Sequence, residues 1–295
     1  EEYMDLKNEV SIAAVNFRDI WGNKGANLEK MKRFIENAAE KGASFVVFPE
    51  LALTGYEDDE NGTMHKESAE TIPGPSTEEI GKQADKHDVY VAFGMPERSR
   101  EAPYTIYNSA VMIGPEGKVI HVYRKAHPWI PEFSWCVKGP GEYEPVETEF
   151  GLVGLMICYD TYIYPEVARI LALKGARLLF NLTAAPYYEG WEIVPYMINQ
   201  VKARSIENLV YVASANLVGR EKELEFTGNS LITGPNYPAT TYVYAGPASR
   251  TDEEMIVAKL DFGKIDEMRE AIPHFKDRRP DTYGFLGSCC EINLQ

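Results

Sequence analysis

The sequence is poor in cysteine and in basic residues, and each shortage excludes a class of protein. It has four cysteines in 295 residues, with no CxxC pair and no zinc-like spacing to its five histidines. A disulfide framework is therefore not expected, and a reducing cytoplasm fits best. The formal net charge of -15 argues against nucleic acid or an anionic membrane as the main ligand.

Long apolar runs are also missing. The longest runs are too short to span a bilayer, and no signal-peptide pattern precedes the first predicted strand. The composition, 44% hydrophobic and 25% charged, is that of an ordinary globular protein. With no internal repeat or linker, we predict one domain over residues 1–295, in which about 276–295 form a C-terminal tail.

Strands and amphipathic helices alternate along the chain, but hairpins intervene. Val10–Phe17 and "SFVVFPE" are predicted strands on either side of a helix, and Gly114 to Gly117 is a predicted hairpin turn. Ser76 and Glu79 are placed as a capping box for a later helix. "GNSLITGPN" and "EEMIVAKLD" read as closing strands before a polar tail. The pattern favours an α/β fold, a four-layer αββα sandwich of two mixed β-sheets with helices outside.

Three predicted strands end in a reactive side chain. "FVVFPE" ends in Glu50, "VIHVYRK" in Lys125 and "GLMIC" in Cys158. Ligand sites in α/β sheets gather at the carboxyl ends of strands, so the three can converge. Taken singly, the cysteine reads as a small core residue, the glutamate as a turn residue and the lysine as a surface residue. Their matching contexts favour a shared site.

The segments "FPELALTGY", "YRKAHPW" and "GLMICYDTYIYPE" resemble the three catalytic segments of the nitrilase superfamily of carbon-nitrogen hydrolases. The likeness continues in "ARSIENLVYVASANLVG", "GNSLITGP" and "KDRRPDTYGFL", and so covers nearly the whole chain. It implies the αββα fold, no metal and no organic cofactor. It also implies a homodimer or higher homo-oligomer, in which the helix "PEVARILALKG" beside the cysteine could pair with its copy.

The resemblance assigns catalytic roles to the side chains of four residues and to one backbone N–H. Cys158 would be the nucleophile that forms a thioester, and Glu50 the general base. Lys125 would stabilise the oxyanion, with the backbone N–H of Tyr159 as a second donor. Glu132 matches a second glutamate of the family. Glu142 and Glu144 remain alternatives for that position because they lie nearby.

The residues after the cysteine limit the classes of substrate that are expected. The Cys158-Tyr159-Asp160 triplet looks like the amidase and carbamoylase branches, whereas nitrile-cleaving members commonly carry Cys-Trp-Glu. Thr161 and Tyr162 stand where branches acting on carboxylates often place an arginine. A substrate carboxylate would therefore have to pair with another arginine, such as Arg169 or Arg204. Both are more simply interpreted as structural residues. Aromatic residues are frequent here, which favours an apolar or aromatic acyl group; those expected to bind substrate are Tyr159, Tyr162, Trp129 and Tyr187.

Several readings stay open at this point. The first is a hydrolase that cleaves a small-molecule amide and releases ammonia or an amine. An N-carbamoyl amidohydrolase is the alternative, followed by a nitrilase, a thioester acyltransferase and a non-catalytic binding protein. The acidic run "YEDDENG" from Tyr56 to Gly62 could favour an amine-bearing substrate or be a solvated loop.

Overall fold

The structure, a computed structural model, describes residues 7–190, 192–236 and 240–287. Its strands are β1 (Glu9–Asn16), β2 (Phe45–Val47), β3 (Tyr90–Arg98), β4 (Ile106–Ile113), β5 (Val119–Arg124), β6 (Val146–Thr148), β7 (Gly151–Ile157), β8 (Leu178–Thr183), β9 (Tyr211–Asn216), β10 (Val218–Glu221), β11 (Leu224–Thr227), β12 (Leu231–Asn236), β13 (Thr240–Ala245) and β14 (Glu254–Asp261). Its α-helices are α1 (Lys24–Glu40), α2 (Thr63–Ser68), α3 (Pro75–His87), α4 (Tyr159–Ile163), α5 (Pro165–Leu173), α6 (Ile193–Asn208) and α7 (Phe262–Ala271). Short 3₁₀ helices cover Ile130–Ser134, Pro280–Thr282 and Gly284–Gly287. None of the helices in these ranges is both long and apolar enough to cross a membrane.

The strands form two six-stranded mixed sheets and a small hairpin. The first sheet has the order β14-β1-β2-β3-β4-β5, the second has the order β13-β12-β9-β8-β7-β6, and β10 pairs with β11. Strands β1, β2 and β3 run parallel, as do β7, β8 and β9, and the other pairs are antiparallel. The predicted pair of mixed sheets is therefore confirmed.

The two sheets pack against each other through their inner faces. The Phe45 ring of the first sheet lies 5.5 Å from that of Phe180 in the second, measured between ring centroids. Side chains alternate across a strand, so Leu178, Phe180 and Leu182 point to the space between the sheets, whereas Leu179 packs under the outer helices. Helix α1 covers the first sheet, and α5 and α6 cover the second. The layers are those of an αββα sandwich, as predicted.

Some local predictions were wrong. Helix α3 begins after Gly74, and the hydroxyl of Thr77, rather than of Ser76, accepts the Gly74 N–H at 2.8 Å. Ser76 instead bonds to Glu70 through its N–H and its hydroxyl. Helix α7 follows β14 directly, where the sequence suggested only a polar tail. The division into one domain stays a prediction.

Candidate active site

The three strand-end residues converge on one region of the molecule. Glu50 follows β2 and Lys125 follows β5 of the first sheet, whereas Cys158 follows β7 of the second. The turn that carries Glu50 lies directly on β3. There, Gly94 has no side chain to obstruct it: a Cβ atom on Gly94 would lie 2.3 Å from the Leu51 nitrogen. Glycine at this position thus permits the close approach of the Glu50 backbone.

Lys125 lies between two buried carboxylates. Its Nζ atom is 2.6 Å from Oε1 of Glu50 and 2.5 Å from Oε1 of Glu132. Asn108 donates to both carboxylates, at 2.8 Å to Glu50 and 3.3 Å to Glu132. The hydroxyl of Tyr56 donates to Glu132 at 2.9 Å. All five side chains are buried, so water does not screen these contacts.

The family resemblance left three glutamates as candidates for the fourth position, and the structure brings one of them to the lysine. Glu132 stands on the 3₁₀ helix Ile130–Ser134 and is buried. Glu142 and Glu144 are exposed, and Glu144 pairs with Lys174 on the surface. Glu132 is therefore the carboxylate that shares Lys125 with Glu50.

Burial sets the protonation of this cluster. Burial raises the pKa of Glu50 to about 7, although the nearby ammonium of Lys125 opposes the rise. For Lys125, burial alone would lower the pKa, but the carboxylates of Glu132 and Glu50 outweigh it and hold the pKa well above its usual value. The lysine is thus a fixed cation, whereas Glu50 can change protonation near neutral pH.

Cys158 lies in a strained turn between β7 and α4. Its φ and ψ angles are 47° and −100°, a combination that costs free energy for a residue with a side chain. Its N–H donates to the Leu182 carbonyl at 2.9 Å, which fixes the turn to β8. Burial raises the pKa of the Cys158 thiol, and the carboxylate of Glu50 raises it further while Lys125 and a hydrogen bond with Thr183 oppose this. The thiol is therefore protonated at neutral pH.

Cys158 opens into a cavity of about 570 Å³ with mostly apolar walls. The predicted substrate-binding residues Trp129, Tyr159 and Tyr162 line it, and the Trp129 and Tyr159 rings meet edge to face with centroids 4.9 Å apart. Tyr187 instead lines a neighbouring cavity of about 290 Å³, while the next residue, Tyr188, lines the main one. A role for Tyr187 in substrate binding stays a prediction. Trp191 lies outside the described residues, as do Cys289 and Cys290.

The two arginines considered as partners for an anionic substrate have other contacts. Arg204 is buried and donates to the carbonyl oxygens of Thr161 and Tyr162, so it binds the backbone of α4 to α6. Arg169 lies over the ring of Phe275. Neither arginine lines the cavity that contains Cys158.

The acidic side chains that follow Tyr56 accept hydrogen bonds from backbone N–H groups. Asp58 accepts the N–H groups of Met64 and His65 at the start of α2, and Asp59 accepts that of Thr63. Glu57 accepts the N–H groups of Glu223 and Leu224. These contacts give the acidic residues a structural role in the loop, and binding of an amine-bearing substrate by them stays a hypothesis.

Sequence reasoning missed several residues around the cluster, chiefly Tyr56, Asn108, Asn181 and Thr183. Asn108 and Asn181 did carry a signal, because each interrupts an apolar strand, in "IYNSAVMI" and "LLFNLT". A polar side chain that is buried in a strand usually has a specific partner. Among the described residues, no group of three or more His, Cys, Asp or Glu side chains is placed to hold a metal ion.

Known proteins are similar to this chain in both sequence and fold. A family model for carbon-nitrogen hydrolases matches residues 11–270. A probable nitrilase of Schizosaccharomyces pombe is 36% identical over 262 residues, which cover 87% of this chain and 91% of that protein. An omega-amidase of Xenopus tropicalis is 32% identical over 276 residues, covering 88% and 92%. The crystal structure of a carbon-nitrogen hydrolase from Helicobacter pylori G27 superposes with a TM-score of 0.84 at 26% identity, over 96% of this chain and 100% of that one.

Proposed function

The chain belongs to the carbon-nitrogen hydrolase family and is a hydrolase of C–N bonds, and we propose that it cleaves small-molecule amides through a thioester on Cys158. The observation that carries the proposal is the buried cluster of Lys125 with Glu50 and Glu132, next to a cysteine that opens into a cavity. A base, a fixed cation and a nucleophile together suffice for covalent acyl transfer from an amide.

The first half of the reaction forms the thioester. Because the Cys158 thiol holds its proton at rest, that proton moves to the Glu50 carboxylate while sulfur attacks the amide carbon. The carbonyl oxygen gains negative charge, which Lys125 and the Tyr159 N–H stabilise. This N–H opens α4 and has no acceptor within the helix. The C–N bond then breaks, and Glu50 returns the proton to the leaving nitrogen, which departs as ammonia or an amine.

The second half releases the acid. A water molecule attacks the thioester carbon and gives a proton to Glu50, and the oxyanion forms again beside Lys125. The C–S bond breaks, sulfur takes the proton back from Glu50, and a carboxylic acid leaves. Glu132, which is hydrogen-bonded to Tyr56 and paired with Lys125, holds the lysine in place through both halves.

The walls of the cavity support an uncharged, apolar acyl group as the preferred substrate part. Aromatic and aliphatic side chains form most of the lining, including Trp129, Ile163, Tyr188 and Ile193. Among the described lining residues none is lysine or arginine, so a substrate carboxylate would lose its hydration without gaining a cation. A cavity of about 570 Å³ has room for a group much larger than an acetyl.

A panel of substrates tests the function. Ammonia release would be measured from aliphatic amides, aromatic amides, amides with a distal carboxylate, N-carbamoyl compounds and nitriles, with Cys158→Ala beside the wild type. We expect release from neutral apolar amides and none from the variant. Release from N-carbamoyl compounds or nitriles alone would reject the amide assignment, and release by Cys158→Ala would reject the nucleophile.

We also propose a cytoplasmic homo-oligomer. The two described cysteines, Cys136 and Cys158, are unpaired, which suits a reducing compartment. In α5, Val167 and Leu171 pack against the subunit's own sheet and Leu173 is exposed, which leaves part of this helix open to a second copy. A dimeric mass by light scattering at micromolar concentration would support the assembly, and a monomeric mass would reject it.

A further inference from the structure

The lysine and the cysteine of the site come from different sheets. Lys125 directly follows β5 of the first sheet, and Cys158 directly follows β7 of the second. The oxyanion forms on a carbon bonded to sulfur, so the lysine acts only if its Nζ atom is held at a fixed place relative to the Cys158 turn. A misplacement of about 1 Å in such a constellation can cost a hundredfold in rate. The fold therefore needs a contact that ties these two segments together.

One buried carboxylate makes that contact. Asp160, two residues after Cys158, accepts the backbone N–H of His127 at 3.0 Å, and its Oδ1 atom lies 2.7 Å from Nδ1 of the same histidine. The other oxygen, Oδ2, accepts the hydroxyl of Tyr123 at 2.8 Å. Both partners belong to the segment that carries Lys125. Asp160 is not exposed to solvent, so these bonds lie in a low-dielectric environment where they are strong.

The bonds hold the lysine segment on both sides of Lys125. Tyr123 precedes the lysine by two residues, and its hydroxyl also accepts the N–H of Ala126 at 3.4 Å. His127 follows the lysine by two residues, and its ring stacks on Tyr164 just beyond α4, with 3.6 Å between ring centroids. The residues two positions before and after Lys125 are thus bonded to the same short stretch that contains the nucleophile, Tyr123 through its hydroxyl and His127 through its backbone N–H and its ring.

We propose that Asp160 is a positioning residue that sets Lys125 against Cys158 for stabilisation of the oxyanion. The proposal rests on the proposed function in one respect, the use of Cys158 as an acyl acceptor. Asp160 itself does not line the cavity, so it acts through the lysine segment and not on the substrate.

Two reagents separate this role from a merely structural one. p-Nitrophenyl acetate acylates a cysteine through a tetrahedral oxyanion, whereas iodoacetamide alkylates it by displacement and develops no oxyanion. A displaced Lys125 therefore slows acylation much more than alkylation, which depends on the lysine only through its effect on the thiol pKa, while a distorted Cys158 turn slows both alike. The rates of both reactions at Cys158 would be followed by mass spectrometry, and kcat and KM measured for the best amide of the panel.

Asp160→Asn is the first variant, because asparagine keeps the shape but has one acceptor oxygen in place of two. We expect acylation and amide kcat to fall by about tenfold to a hundredfold, with KM and the alkylation rate changed by less than about threefold. Tyr123→Phe removes one of the bonds and keeps the ring, so it should lower acylation by a few fold even if Asp160→Asn fails to fold. Tyr211→Phe is the matched control: it deletes a buried hydroxyl that donates to the Asp261 carbonyl at 2.9 Å, at the far end of β9 from the site.

Other results would reject either the positioning role of Asp160 or the amidase function. An equal fall of acylation and alkylation, unchanged acylation in both variants, or a wild-type Cys158 that p-nitrophenyl acetate does not acylate would overturn the positioning role. A silent amide panel with the acylation difference intact would reject the amidase function and leave the role of Asp160 standing.

Discussion

The Nζ atom of Lys125 lies 2.6 Å from Oε1 of Glu50, and neither side chain is exposed to solvent. Glu132 contacts the same ammonium from a second direction, at 2.5 Å. Two carboxylates and one lysine leave a buried group with an excess of negative charge when all are ionised. Burial is the main reason why Glu50 binds a proton more readily than an ordinary glutamate, and the negative charge of Glu132 adds to it; the raised pKa bears on both activity and stability.

Activity should depend on the protonation of Glu50. The base works only as a carboxylate, and burial raises its pKa to about 7. The free enzyme should therefore lose kcat/KM as pH falls through about 7, with a tenfold loss for each further unit. A pH profile of kcat/KM on a neutral amide measures this limb. A profile that stays flat down to about pH 5 would show that another group is the base.

Loss of the nucleophile should abolish turnover without unfolding the protein. Cys158→Ala removes the sulfur that forms the thioester, so ammonia release should fall to background, while the thermal unfolding temperature stays near that of the wild type. Cys136→Ala is the matched control, because Cys136 is buried near Glu132 and does not line the cavity. Equal losses in the two variants would contradict the assignment of Cys158.

Removal of the lysine should destabilise the fold, and more so at high pH. Lys125→Met leaves Glu50 and Glu132 buried without their cation, which should lower the free energy of unfolding by about 3–5 kcal/mol at about pH 8. Protonation relieves the repulsion, and the raised pKa of Glu50 means that protons bind more tightly to the folded than to the unfolded chain. Lys125 opposes the rise in the pKa of Glu50, so in the variant that pKa should lie above about 7, and the loss should shrink as pH falls from about 8 to about 7 and stay small below it. Urea unfolding at about pH 5 and about pH 8 tests this, and an equal loss at both would contradict it.

The apolar wall should act on binding more than on chemistry. Trp129→Ala removes a large ring from the cavity and from its contact with Tyr159. For an aromatic amide, KM should rise by about tenfold with kcat little changed, since ring burial contributes to ground-state and transition-state binding alike. Acetamide, which is too small to fill the cavity, is the comparison substrate. A similar rise in KM for acetamide would show that Trp129 affects the binding of every amide and does not form a pocket for a large acyl group.

The sequence predicted the parts of the site that depend on local pattern. Glu50, Lys125 and Cys158 each follow an apolar run, which marked them as strand-end residues, although β2, β5 and β7 are not neighbours and lie in two sheets. Tyr56 reaches Glu132 from the loop after Glu50, and Asn108 reaches both carboxylates from β4, through tertiary contacts that no local pattern records.

Two predictions differ from the structure by only a residue or two along the chain. Tyr187 and Tyr188 are adjacent in the sequence, yet the loop turns only the second toward the main cavity. The start of α3 depends on Glu70, which accepts both polar hydrogens of Ser76 and so leaves the cap to Gly74 and Thr77. At the start of α3, the tertiary contact with Glu70 overrides a preference that the sequence expresses locally.

The thioester on Cys158 is the central claim, and trapping it is the most direct test. The wild type would be mixed with the amide that it hydrolyses fastest, quenched in acid during turnover and digested for peptide mass spectrometry. We predict that the peptide containing Cys158 carries the added mass of the acyl group and that hydroxylamine removes it. Steady hydrolysis of the amide with an unmodified Cys158 peptide at every time point, and hydrolysis that survives in Cys158→Ala, would contradict the mechanism.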